Sequence, residues 1–66
     1  MIFYRWYCVD VYERTPNQWR ARISRTDGKR VTRSGAKVPF ADTSDASTYE
    51  EAIKLAKRMI DDGIIR

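Results

Sequence analysis

Sixty-six residues make one small domain, 1–66, with a thin core that is marginal unless it packs well or oligomerises. The chain carries 13 Lys and Arg against 9 Asp and Glu, for a formal net charge of +4, with no histidine and one cysteine, Cys8. That excludes an internal disulfide and leaves no recognisable zinc site or histidine-based acid–base catalysis, so no metal or other cofactor is expected. No nucleophile–base or carboxylate pair is placed by spacing either, which points away from an enzyme.

The charge is segregated. Residues 20–37 hold seven basic groups and one acid, whereas residues 42–51 hold four acids and no base. A local cationic field of this kind suits a polyanion or an acidic partner better than the net value alone suggests. The apolar start, Ile2 to Tyr4, is interrupted by Arg5, so it is neither a signal core nor a membrane span. A cytoplasmic location without membrane contact is the expectation.

Residues 2–12, rich in aromatic and β-branched side chains, predict a first strand. Tyr7, Val9 and Val11 would face inward, leaving Trp6, Cys8, Asp10 and Tyr12 outside. An exposed Trp6–Tyr4 patch would mark a contact surface, whereas the same patch under the C-terminus would be core. Glu13 to Gln18 predicts a turn with Pro16 at its second position.

Trp19 to Arg33 then alternates apolar and basic residues on either side of Asp27-Gly28, the pattern of a β-hairpin. A three-residue loop, Thr26 to Gly28 with Gly28 left-handed, pairs Arg25 with Lys29 and puts Ile23 opposite Val31. Arg22 then faces Thr32 and Ser24 faces Arg30 on the outside. Arg33 lands on the apolar face and has to escape at the sheet edge. Trp19, in phase with Ala21 and Ile23, reads as the core residue that anchors the helix.

Ser34-Gly35 opens an irregular segment with Phe40 as its only large apolar anchor, and Asp42 to Ser47 reads as a polar loop. Thr48-Tyr49-Glu50-Glu51 fits a capping box, with Thr48 as N-cap and Glu51 reaching back. The helix should run from about Tyr49 to Asp62. Ala52, Ile53, Ala56, Met59 and Ile60 form its sheet-facing stripe, with Leu55 at the border. Ile53 and Met59 are expected against Trp19 and Ile23. Glu50 and Lys54 have the spacing of an ion pair, Gly63 is the stop, and Asp61 and Asp62 face solvent. Ile64 and Ile65 fold back over the sheet edge. The expected fold is therefore α+β: a three-stranded antiparallel sheet, β-β-β-α, with one C-terminal helix packed on one face.

The basic hairpin admits three readings. Arg20, Arg22, Arg25, Lys29, Arg30 and Lys37 neutralise phosphates of double-stranded DNA, with Arg22 or Arg30 at a guanine edge. The same face docks an acidic protein, or the sheet edge pairs with a second copy. Lastly, the arginines form a solvated strand face that guards against edge pairing.

WRARI, DGKRV, Gly35 with Phe40 and TYEEAIKLAK together resemble the plant ethylene-response-factor type of DNA-binding domain and the related arm-binding domains of phage and transposon integrases. That resemblance implies a sheet laid in the major groove, with Arg20, Arg22, Ser24, Arg30 and Thr32 as the contacting residues. Thr48, Glu50, Glu51 and Ala52 also resemble the helix start of HicB-type antitoxins, which implies a small toxin-binding domain without hydrolytic activity.

Overall fold

A computed structural model describes all 66 residues as six strands and one helix. The strands are β1 (Ile2–Tyr4), β2 (Tyr7–Thr15), β3 (Gln18–Arg25), β4 (Val31–Arg33), β5 (Ala36–Val38) and β6 (Ala41–Asp42), followed by α1 (Tyr49–Asp61). The main sheet is antiparallel with order β1-β2-β3-β6, and β4 and β5 form a separate two-stranded ribbon. The α+β class and the C-terminal helix are as expected, while the main sheet has four strands rather than three.

The expected first strand is in fact a hairpin. Tyr4 pairs with Tyr7 across a two-residue turn, Arg5-Trp6, and Arg5 sits at φ 55°. Such a turn ordinarily uses glycine or asparagine, so nothing in the residue types announces it. The Asp61 carboxylate holds Arg5 there, accepting from its Nε at 2.9 Å and from the Tyr4 hydroxyl at 2.8 Å. Asp61 is thus a tie between helix and sheet rather than a free surface acid. Val9 is buried as expected, but so is Cys8, which lies between Phe3 and Ser24 in the ladder.

Pro16 occupies the second position of the β2–β3 turn, with Asn17 at φ 65°, the shape of a type II turn. The ladder shifts by one residue between Glu13 and Thr15 to accommodate it.

The largest correction concerns β3 and β4, which do not pair. Gly28 is left-handed at φ 78°, yet Asp27 closes the turn on itself: its Oδ1 accepts from the Lys29 amide at 3.0 Å. The chain leaves the sheet, and β4 pairs instead with β5 across Ser34-Gly35. Both turn residues have positive φ, 52° and 81°, the type I′ geometry that closes a two-residue hairpin and that Gly35 adopts without Cβ strain. Arg33, on β4, reaches out to donate to the Asp42 carbonyl at 3.0 Å.

The edge of β3 is taken by the segment expected to be a loop. Arg22 pairs with Asp42 and Ile23 with Ala41. Thr43 continues the contact: its amide donates to the Ala21 carbonyl at 2.9 Å, and its buried hydroxyl accepts from the Ala21 amide at 3.0 Å. Trp19 and Ala46 then exchange two backbone hydrogen bonds of 2.8 and 2.7 Å. Phe40 is 41 % exposed, and the buried anchors here are Ala41 and Ala46.

Thr48 caps α1, its hydroxyl accepting from the Glu51 amide at 3.1 Å. Glu51 reaches back one residue further than a capping box requires, to the Ser47 hydroxyl at 2.6 Å and the Ser47 amide at 3.2 Å. The helix ends in a Schellman motif, Ile64 N to Met59 O and Gly63 N to Ile60 O. Ala52, Ala56 and Ile60 are the buried helical residues, with Leu55 and Met59 packed beside them. Two alanines on that stripe let the helix sit close to β2 and β3. Ile53 is only half-buried and outside the core cluster, so the stripe is rotated from the expected one. Glu50 and Lys54 form no ion pair within 4 Å.

Val9, Ala21, Ile23, Val31, Ala41 and Ile65 complete the core. Ile65 arrives through a bridge to Arg33, flanked by reciprocal Thr32–Arg66 backbone hydrogen bonds of 2.6 and 2.9 Å. Ile64 points outward. Trp19 packs on the core and meets the Tyr49 ring edge-on at 5.8 Å.

Candidate nucleic-acid interface

The eight residues expected to bind DNA fall into two groups at different places on the molecule. Arg20, Arg22 and Ser24 stay on the outer face of β3. Arg25, Lys29, Arg30, Thr32 and Lys37 line a shallow recess between the β3–β4 turn and the β4–β5 ribbon, together with Gly28 and Arg66.

On the sheet face the arginines are already paired. Asp45 accepts from Arg20 Nε at 2.6 Å and from Arg14 Nη1 at 3.1 Å. Arg22 stands in register between Asp10 on β2 and Asp42 on β6, with its Nε 3.2 Å from Asp42 Oδ1. Its guanidinium also stacks 3.9 Å above the Phe40 ring and 5.5 Å from the Tyr12 ring, a cation–π arrangement that fixes its plane. Hydrogen bonding to Asp42 and to Asp45 raises the pKa of Arg22 and Arg20 respectively. A guanidinium committed to a carboxylate and two rings is poorly placed to fork onto a guanine edge.

The recess differs in its electrostatics. Arg25 is paired, with Asp27 accepting from its Nε at 3.1 Å and its Nη2 at 2.7 Å. That guanidinium, then the Lys29 amide, holds the Asp27 carboxyl below the usual carboxylate range. Lys29, Arg30, Lys37 and Arg66 have no acidic partner and are exposed. Thr32 and Lys37 lie directly opposite each other on β4 and β5, so a hydroxyl and an ammonium share one face. No hydrophobic side chain lines the recess.

Arg66 is the member that sequence reasoning missed. It joins because its backbone pairs with Thr32, a contact between chain regions that no local pattern announces. No group of three His, Cys, Asp or Glu converges as metal ligands, and no helix is long and apolar enough to cross a membrane. Set against protein-family models, curated proteins and solved structures, the chain matches none.

Proposed function

We propose that the chain is a non-enzymatic DNA-binding domain that holds backbone phosphates in the recess through Lys29, Arg30, Lys37 and Arg66, beside the Asp27-paired Arg25. The observation that carries this reading is the set of four exposed, acid-free cations gathered around one concavity. Phosphate binding draws its free energy from releasing counterions condensed on the nucleic acid, so it needs cations whose field is not already cancelled. Arg20 and Arg22 gain less, since each must exchange a carboxylate for a phosphate. A recess without apolar lining also favours backbone contacts over base reading.

The test is the salt dependence of binding to a short labelled oligonucleotide, followed by fluorescence anisotropy. Four phosphate contacts give a slope of log K against log salt of about −3 to −4. Lys29→Ala together with Lys37→Ala flattens it by about two units. A slope near zero overturns the proposal.

A second reading, contact with another copy of the chain, is favoured by the free edge of β1 and by its exposed Met1, Phe3 and Trp6. Sedimentation velocity that stays monomeric up to millimolar protein removes that reading.

A further inference from the structure

We propose that the Trp6 indole is a stacking platform for an unpaired base, which makes a single strand the preferred ligand. The inference rests on the phosphate-binding reading of the recess and adds a second point of contact. Trp6 is 77 % exposed, the most exposed aromatic residue in the chain, whereas Trp19 is packed on the core. Only the first turn position, Arg5, is left-handed, so the turn does not dictate the residue at position 6, and an exposed indole there is accounted for by neither the turn nor the core.

Its position does point to a use. The Trp6 carbonyl accepts from the Thr26 amide at 3.1 Å and from the Thr26 hydroxyl at 3.2 Å. Tyr7 pairs directly with Arg25, and Arg25, Gly28 and Lys29 line the recess. The exposed indole and the acid-free cations therefore stand at the same end of the sheet, joined through Thr26. The two hydrogen bonds fix the turn's backbone, so the indole is carried on an ordered stem. A single strand offers both halves of what this end presents: phosphates for the cations and an open base face for the ring. A duplex keeps its bases stacked on one another and offers only the phosphates.

The experiment compares a labelled oligothymidylate with a duplex of the same length, against wild type, Trp6→Ala, Trp6→Phe and Lys29→Ala. Trp6→Ala is expected to weaken the single strand by about ten-fold or more, the scale of one lost base–aromatic stack. Trp6→Phe should recover most of that loss, and the duplex affinity should not change. Because the side chain lies in solvent, the helical circular dichroism of both variants should match wild type.

If Trp6→Ala binds the single strand as wild type does while Lys29→Ala weakens it, stacking is overturned and the phosphate recess stands. If wild type binds neither form at low salt, the recess reading fails and takes this one with it. Loss of a concentration-dependent dimer in Trp6→Ala, with DNA affinity unchanged, overturns stacking in favour of a protein contact.

Discussion

Arg20 on β3 and Arg14 on β2 share one carboxylate, Asp45, at 2.6 and 3.1 Å. A single acid thus occupies two cations at the edge of the sheet face, and Asp42 occupies a third, Arg22. Asp45→Asn should release Arg14 and Arg20 and strengthen DNA binding, steepening the salt slope by up to about two units. The stability change should stay within about 1 kcal/mol, because the groups are partly exposed and screened. Anisotropy titration and urea unfolding of the same variant measure both effects.

Asp27 plays the corresponding part in the recess, where it neutralises Arg25 through two hydrogen bonds. Asp27→Asn keeps an oxygen for the Lys29 amide while removing the charge. The expected result is tighter binding to every sequence alike and a salt slope steeper by about one unit. A variant that binds more weakly would show that the carboxylate, rather than Arg25, organises the site.

Ile64 and Ile65 are neighbours with opposite fates, one 47 % exposed and the other 2 %. Ile65→Ala should cost about 2–5 kcal/mol as a buried truncation. Ile64→Ala should stay within about 0.5 kcal/mol. Urea unfolding of the two variants separates them, and equal costs would mean that the C-terminal strand contact does not form in solution.

The Ser47 hydroxyl, with the Ser47 amide behind it, holds the Glu51 carboxyl below its ordinary value. A carboxylate depressed by folding adds stability above its unfolded pKa, near ~4.3, and that stability is lost as pH falls through the lower folded value. The difference in unfolding free energy between wild type and Glu51→Gln should therefore be flat above about pH 5 and shrink below about pH 4. A difference that grows on acidification would contradict the assigned contact.

What the sequence made legible was local. Thr48 with Glu51, Pro16 at its turn, Gly63 at the helix stop and the alternation through Trp19, Ala21 and Ile23 each involve residues a few positions apart. The Arg5-Trp6 turn escaped because arginine is not a residue type expected at positive φ, and neither residue is typical of a tight hairpin. Strand β6 escaped because the run from Asp42 to Ser44 has loop composition, and the contact beyond Asp42 is completed by the Thr43 amide and hydroxyl bonding Ala21. The candidate site divided for the same reason. Two oppositely charged blocks were visible, but their meeting depends on β6 crossing to β3 and carrying Asp42 to Arg22. Lys29, Arg30 and Lys37 are left without an acidic partner because the chain turns away from that edge at Asp27.

Amide NMR titration with a short oligonucleotide at low and moderate salt tests the phosphate recess most directly. Shifts should concentrate on Gly28, Lys29, Arg30, Thr32 and Lys37, shrink as salt rises, and leave α1 unmoved. Shifts centred instead on Arg20, Arg22 and Ser24, or none at low salt, would contradict the assignment of the recess as the binding site.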